Sequence, residues 1–457
     1  MKLHRDILRL AVPSIFANIT VPLVGMVDIA VAGHLGASGD LGAAAFIGGI
    51  SIGTMLFDML YWNFGFLRAG TGGLTAQAYG RNEAGAKDAA ADIAATLRRA
   101  LGIALASGLV LVALQWVVVQ VAFLLVKCTP EVRELATQYF YIRIWAAPAT
   151  LSLFAFKGWF IGMQDTVRPM ICDLLVNALN ILLSIGLAFG YAGLPALGFA
   201  GVAWGTLIAQ WTGFLYASLA VWHRYGTFFR SPVKSGNRSG WRAFFVLNRD
   251  LFLRSVCMIA VYIGFTMISA RYGDMMLAVG AILMKLLMIF SYFTDGFAYA
   301  GEALTGRFIG EGSPDGVLST VRQTFAWSLG VTVLFFLVYG VGGVPLLRLM
   351  TSDPNVVDAG REFIPWLLLM PVIGCPAFTW DGIFTGATAS KDLRNSVVWC
   401  VVGFFGTWFA GIGLLRALHG TVPETWAIHL LMAAYFVHLL VRALYLTLCW
   451  RKAIPFA

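Results

Sequence analysis

Twelve apolar stretches of about 20 residues, spread along almost the whole chain, constrain the fold more than any other feature of the sequence. A stretch of that length crosses the hydrocarbon core of a bilayer as one helix. The composition agrees, because 59% of the 457 residues are hydrophobic and only 12% are charged. A water-soluble enzyme is therefore excluded, and an all-α polytopic membrane protein is predicted. The predicted spans cover residues 8–33, 41–66, 100–125, 138–161, 169–190, 198–222, 251–270, 276–300, 324–347, 362–386, 396–415 and 425–448.

The basic residues predict the orientation of these spans. The N-terminus, every second loop and the C-terminus together hold 22 Lys and Arg residues, whereas the alternate loops hold six. Because loops rich in Lys and Arg stay in the cytoplasm, we expect both termini to be cytoplasmic, in a bacterial-type cytoplasmic (inner) membrane. The net charge of +9 is then a signal of topology. A nucleic-acid partner is not expected.

Internal similarity predicts two six-helix halves related by duplication. The stretch from Gly158 to Gly162 recurs as Gly382 to Gly386. A basic stretch at 223–250 is predicted to be a cytoplasmic linker loop between an N-terminal six-helix bundle, 1–222, and a C-terminal one, 251–457. Because six is even, the halves would share one orientation and hold a substrate site between them near mid-membrane. This organisation is typical of transporters.

Charged residues inside membrane spans are costly, so each one is a candidate functional residue. The central ones are four acids and two bases, which would make a cavity lined by them net negative. Such a cavity suits a cationic substrate, with a proton or a cation as the driving ion. The six residues are Asp28, Asp58, Lys157, Lys285, Asp295 and Asp381.

Asp28 is the strongest candidate for ion coupling. It follows Pro22, and a proline leaves the carbonyl group four residues back, here that of Asn18, without its amide partner. With Pro13 as well, the first span is expected to bend. A buried carboxyl group on a bendable helix can take up and release a proton near neutral pH. The alternative is a carboxylate paired permanently with one buried lysine.

A polar stripe runs along the fifth span. Asp173, Asn177, Asn180 and Ser184 fall within 60 degrees of one another on one helix face at 100 degrees per residue. Such a stripe faces protein or water and not lipid. It indicates either a substrate or ion site, or hydrogen bonds that hold the bundle together.

Lys157 and Asp381 occupy equivalent positions in the two repeated glycine motifs. Opposite charges at symmetry-related positions could meet across the halves and act as a gate. The alternative is static neutralisation of each charge, which we favour because an unpaired buried charge is costly.

Other classes of function have weaker support. Gly49-Ile-Ser-Ile-Gly53 fits a hydrolase nucleophile motif, but it lies within an apolar helix and not at a strand-to-helix turn. The six cysteines form no Cys-x-x-Cys pair, so no metal site is predicted. No phosphate-binding loop of a primary pump occurs in the sequence. We expect no enzymatic activity.

Seven motifs in order along the chain resemble those of the multidrug and toxic compound extrusion (MATE) family and, within it, the DNA-damage-inducible protein F (DinF) branch. They are Leu10-Ala-Val-Pro-Ser-Ile-Phe-Ala-Asn-Ile-Thr-Val-Pro22, Val27-Asp-Ile-Ala-Val-Ala-Gly-His-Leu35, Phe66-Leu-Arg68, Gly73-Leu-Thr-Ala-Gln-Ala78, Leu247-Asn-Arg-Asp250, Asp295-Gly-Phe-Ala-Tyr299 and Asp381-Gly-Ile-Phe-Thr-Gly-Ala387.

The resemblance implies a secondary antiporter with a V-shaped pair of six-helix bundles, which exports lipophilic, often cationic compounds by alternating access. The coupling acid of the family matches Asp28, and the polar residues around that acid match Asn180 and Thr206. Where relatives often carry a second acid, this chain has Ser184. That difference weakens a Na⁺ site and favours H⁺ as the driving ion.

The remaining expectations concern the substrate. The substrate cavity is predicted to involve Asn18, Pro22, Asn177 and Asp58. Lys157, Lys285 and Asp58 do not match the family pattern. A flippase or exporter of an anionic or lipid-linked substrate on the same fold, attracted by Lys157, Lys285 and Arg143, therefore stays an alternative, and so does Na⁺-coupled efflux. We expect a monomer in contact with membrane lipid, without a cofactor, that binds an amphiphilic small molecule.

Overall fold

The computed structural model describes residues 2–37, 42–126, 128–230, 238–351, 353–420 and 422–455. Regular structure in these ranges is entirely helical, which confirms the predicted all-α class. Short 3-10 turns occur at Ile144–Ala146 and Tyr191–Gly193. The α-helices are α1 (Lys2–Ala37), α2 (Ala43–Trp62), α3 (Gly65–Glu83), α4 (Ala89–Ala113), α5 (Gln115–Leu125), α6 (Pro130–Arg143), α7 (Ala147–Gly162), α8 (Val167–Phe189), α9 (Phe199–Arg230), α10 (Arg238–Ala270), α11 (Asp274–Glu311), α12 (Pro314–Met350), α13 (Pro354–Arg361), α14 (Ile364–Gly386), α15 (Ser390–His419) and α16 (Glu424–Ala453).

Eleven helical segments in the described part of the chain are long and apolar enough to cross a membrane. Each overlaps one of the twelve predicted spans, but the third predicted span, 100–125, is placed too late, because α4 covers Ala89–Ala113 and the helix breaks at Leu114 before α5. The sixth predicted span, 198–222, lies within α9, which is helical and 32 residues long but is not among the eleven. Polar residues such as Thr206, Gln210 and Thr212 lower the hydropathy of this helix. The count of twelve spans is therefore approximate.

The chain divides into two compact units. The N-terminal unit comprises Phe16–Asn82 and Ala86–Trp241, and the C-terminal unit comprises Met1–Ile15, Glu83–Gly85 and Arg242–Ala457. The first turns of α1 thus belong to the C-terminal unit, although the sequence places them in the N-terminal half. A Cβ atom at Gly296 of α11 would overlap Ile15 and would lie 2.8 Å from the Ala11 carbonyl oxygen, which shows how closely the start of α1 packs there.

The predicted linker at 223–250 is largely helical, which corrects the sequence-based expectation. Helix α9 continues to Arg230, α10 begins at Arg238, and only 231–237 lie outside the described residues. The reason is that aromatic residues are interspersed with the basic ones there: Tyr225 and Phe244 are buried, while Arg224, Arg230 and Arg242 are exposed. Amphipathic segments of this kind continue a helix beyond the membrane.

The repeated glycine motif makes the same backbone contact in both units. Gly158 of α7 packs on the Arg68 carbonyl group of α3, and Gly382 of α14 packs on the Ala298 carbonyl group of α11. In each case a Cβ atom would overlap the carbonyl oxygen of the neighbouring helix. Small residues let helix backbones approach closely in membranes. The sequence repeat is therefore also a repeat of packing geometry.

This contact predicts the effect of one added methyl group. The variant Gly382→Ala should lose stability by about 1–3 kcal/mol, the usual cost of overpacking, because its methyl group meets a rigid carbonyl. The matched control is Gly330→Ala on α12, where a Cβ atom would meet nothing within 4 Å. Thermal unfolding of the purified variants in detergent compares them. Equal melting temperatures for the two variants would contradict the packing account.

Candidate coupling and substrate site

Asp28 is the polar residue that the second half of α1 directs into the protein. Its side chain is 6% exposed, whereas Met26 and Ile29 beside it are 67% and 44% exposed. Apolar residues around the outer face of a membrane helix are expected to face lipid, and an acid among them is expected to face protein. Helix α1 runs as one helix across Pro22, which is itself exposed.

The carboxyl group of Asp28 has few partners. The Ser184 hydroxyl lies nearby, and the positive charge of Arg143 attracts the carboxylate. Its Oδ1 atom is buried and has no hydrogen-bond partner among the described residues. The described lysines in the spans do not pair with it, since Lys157 binds Asp173 and Lys285 has no ion-pair partner in the described chain. The alternative of a permanent Asp–Lys pair therefore finds no support.

Close packing of α8 on α9 brings the neighbouring polar groups together. Gly201 and Gly205 of α9 face the backbone of α8, where a Cβ atom would lie 2.6 Å from the Leu187 carbonyl oxygen and 2.7 Å from the Ser184 nitrogen. Larger residues at these positions would push the helices apart. The small residues thus set the distance across which the side chains of α8 and α9 can bond.

Asn180, Ser184 and Thr206 form a buried network at this contact. Asn180 Nδ2 donates to Thr206 Oγ1 at 2.9 Å, and Ser184 Oγ donates to Asn180 Oδ1 at 3.3 Å. Thr206 Oγ1 in turn donates to the Val202 carbonyl oxygen at 3.2 Å. Ser184 has one hydroxyl proton, so a bond from that proton to Asp28 competes with the bond to Asn180. The four predicted coupling residues are therefore assembled in one place.

Asn177, in the same polar stripe of α8, contacts α1. Asn177 Nδ2 donates to Thr20 Oγ1 at 2.7 Å, and Thr20 Oγ1 donates to the Ala17 carbonyl oxygen at 2.8 Å. Asn18 is 8% exposed and lies on the same helix. Thr20 was not among the residues predicted for the site. It lies eight residues before Asp28, a spacing that places both on one broad face of α1 and could have identified it.

Arg143, which the sequence suggested only as an attractor of an anionic substrate, lies close enough to Asp28 to belong to the coupling site. Its NH1 group donates to the Tyr139 hydroxyl at 2.8 Å, and its guanidinium lies 4.7 Å from the centre of the Phe57 ring. Its positive charge interacts with both Asp28 and Asp58, while the Asp58 side chain itself is exposed. An arginine at the end of the fourth predicted span was the available signal.

Lys157 and Asp381 each form an ion pair with an oppositely charged residue of their own unit. Lys157 Nζ lies 2.7 Å from Asp173 Oδ2 in the N-terminal unit. Asp381 in the C-terminal unit pairs with Arg254 and Arg442, and Arg442 Nε donates to its Oδ1 at 3.1 Å. This is the static neutralisation that the cost of an unpaired buried charge favours.

The C-terminal unit thus holds its own cluster of charges. Arg442 is 1% exposed and lies in the middle of α16, where a scan for charges within apolar runs would have found it. Asp295 accepts a hydrogen bond from Ser291 at 3.3 Å and also attracts Arg442. Lys285, the remaining charged candidate, is exposed on α11 and stands apart from this cluster.

Comparison with known proteins decides the family. The family model MatE matches residues 13–185 and matches again at residues 251–405, once in each half of the chain. The protein belongs to the MatE (MATE) family. This family consists of transporters and not of enzymes, and the chain is a multi-pass membrane transporter of that family.

Individual relatives agree with this assignment. The chain is 34% identical over 445 residues to DNA damage-inducible protein F of Escherichia coli (strain K12), covering 97% of this chain and 91% of that protein. It is 24% identical to the probable multidrug resistance protein NorM of Thermotoga maritima, covering 90% and 84%. The crystal structure of the Vibrio cholerae MATE transporter VcmN in the bent form matches the fold with a TM-score of 0.82 at 16% identity, covering 99% and 97%.

The buried network predicts the effect of removing one hydroxyl group. Thr206→Val keeps the shape of the side chain but leaves Asn180 Nδ2 without its acceptor, so stability should fall by about 1–3 kcal/mol. The control is Thr212→Val on the same helix, because the exposed Thr212 hydroxyl bonds only to the Ile208 carbonyl oxygen at 2.8 Å. Thermal unfolding in detergent measures both. A loss of the same size in both variants would show that the network contributes nothing of its own.

Proposed function

We propose that this MATE protein is a secondary antiporter that exports lipophilic, cationic compounds in exchange for inward H⁺. In this proposal Asp28 is the coupling carboxyl group. The relatives named as multidrug resistance proteins support the class of substrate. The environment of Asp28 supports the choice of residue.

The observation that carries the proposal is a buried carboxyl group with an unused oxygen. Asp28 is 6% exposed, and its Oδ1 has no hydrogen-bond partner within the described chain. A carboxyl group in a permanent structural role would have its lone pairs satisfied. A group that gains a proton in one step and a cationic partner in another has to keep an atom available in between.

The neighbouring groups favour H⁺ over Na⁺. A hard cation needs several oxygen ligands at once, but Asn180 Oδ1 already accepts from Ser184 and Thr206 Oγ1 already accepts from Asn180. A proton needs only the free Asp28 oxygen.

Coupling follows if the two protonation states of Asp28 bind substrate differently. The ionised carboxylate attracts a cation, and the neutral carboxyl group does not. The neutral group also becomes a donor and can turn to the Ser184 hydroxyl oxygen, which changes how α1 is held against α8. A substrate can shift the transport cycle only through such a difference in affinity.

The remaining parts of the proposal concern placement. The excess of Lys and Arg in alternate loops supports cytoplasmic termini and a bacterial-type inner membrane. We retain a monomer, surrounded by lipid and without a cofactor, as our expectation.

Transport in proteoliposomes tests the proposal. With pH and Na⁺ gradients imposed separately, the wild type should move a lipophilic cationic dye when the pH gradient is present. Asp28→Asn fixes the side chain in a neutral form, so the pH-driven rate should fall by about 5- to 150-fold, the range of typical coupling energies.

The control for this experiment is Asp358→Asn, which makes the same chemical change at an exposed carboxylate on α13. It should transport like the wild type. Wild-type rates in Asp28→Asn, or transport that follows the Na⁺ gradient alone, would refute Asp28 as the proton-coupling group.

A second candidate function keeps the fold and changes the cargo to an anionic or lipid-linked compound. The exposed ammonium group of Lys285 and the guanidinium of Arg143 favour it. A flippase would leave a lipid-linked precursor stranded in the inner leaflet when it is lost, whereas an efflux pump would not.

A further inference from the structure

A cavity of about 100 Å³ lies between α10 and α11 in the C-terminal unit. Its volume is well below the roughly 300–1,000 Å³ of a site for a drug-sized molecule, so it can take a headgroup but not a whole drug. Its wall combines apolar side chains with a small set of polar ones. Among the residues that line it are Tyr262, Phe265, Thr266, Ser269, Met284 and Lys285.

Lys285 brings a positive charge to this cavity. It cannot pair with Asp274, the acidic residue at which α11 begins. The two positions are about 17 Å apart along the helix, farther than a lysine side chain reaches. Within the described ranges it has neither a hydrogen bond nor an ion-pair partner. The bases Lys157 and Arg442, by contrast, are paired with acids. An unpaired ammonium group inside a membrane span indicates a functional site.

Ser269 provides a second polar group at the same place. It is 1% exposed, and its hydroxyl group has no hydrogen-bond partner in the part of the chain that the structure describes. Gly280 of α11 packs beside it, and a Cβ atom there would lie 3.2 Å from Ser269 Oγ. A buried hydroxyl group with both its donor and its acceptor unused is uncommon. The ammonium group of Lys285 and the unused hydroxyl group of Ser269 thus line the same small cavity.

We propose that this cavity binds the anionic headgroup, a carboxylate or a phosphate, of an amphiphile or lipid. Lys285 forms an ion pair with the headgroup and Ser269 donates a hydrogen bond to it. The hydrocarbon chain lies along the exposed apolar surface of the same helices, which includes Met267 and Ile289. The site goes beyond the antiport proposal, because proton coupling at Asp28 and export of cations require no anion site. It deepens the second candidate function, in which Lys285 attracts an anionic cargo.

Photolabelling of the full-length protein tests the site independently of transport. The protein, in nanodiscs of phosphatidylcholine, is exposed to oleate that carries a diazirine in its chain, and the labelled peptides are mapped by mass spectrometry. Label should appear on α10 and α11. Lys285→Gln should weaken apparent oleate affinity by about tenfold or more, which corresponds to about 1.4 kcal/mol. Ser269→Ala should weaken it less, and Lys285→Arg should retain it because the charge remains.

The control is Lys391→Gln, which removes an exposed lysine of α15 in the same unit and should label like the wild type. Competition identifies the source of the headgroup. Displacement by phosphatidylglycerol supports a lipid, and displacement by unlabelled oleate alone supports a single-chain amphiphile. The proposal would be overturned if Lys285→Gln were labelled as strongly as the wild type. It would also be overturned if cationic dodecyltrimethylammonium displaced the label as well as unlabelled oleate does.

Discussion

A carboxyl group buried in a membrane span has only protein groups as partners, and the contact between α8 and α9 places such groups near Asp28. The small residues of α9 let α8 approach closely enough for Ser184 and Thr206 to meet through Asn180. The apolar residues on either side of Asp28 face outward. The network nevertheless leaves Asp28 Oδ1 without a bond in the described structure. Selection for stability alone would favour a hydrogen bond to this oxygen. An oxygen without one is better explained by a group that changes partners during the transport cycle.

The two units repeat the same glycine-to-carbonyl helix contact, but they differ in how their buried charged side chains are paired. Gly158 contacts α3 and Gly382 contacts α11 in equivalent ways, each within its own unit. In the C-terminal unit, however, Asp381 at the equivalent of Lys157 is fixed by Arg254 and Arg442. Two cations around one acid leave little freedom for that acid to change its charge. Asp28, whose Oδ1 has no hydrogen-bond partner in the described structure, is therefore the acid to which our proposal assigns the change of charge.

Sequence reasoning predicted what depends on composition and local pattern. Apolar length predicted the helices, and burial cost singled out Asp28. The stripe on α8 was predicted from helical periodicity, although the partners of Asn177 and Asn180 were not. Pairings across distant helices depend on packing that no local pattern encodes, which is why Arg254 and Arg442 were not predicted as the partners of Asp381 and Arg143 was left out of the coupling site. The linker was misjudged because its charges were counted and its buried aromatic residues were not.

The most direct test of the account is a count of protons. If a cationic substrate displaces the proton of Asp28, adding substrate to the purified protein in weakly buffered detergent solution should release protons into the medium. The account predicts about one proton per bound substrate in the wild type, at a pH where Asp28 is largely protonated, and none in Asp28→Asn. Saturable substrate binding to the wild type with no proton release, or equal release from the variant, would contradict the claim that Asp28 changes its charge during the cycle.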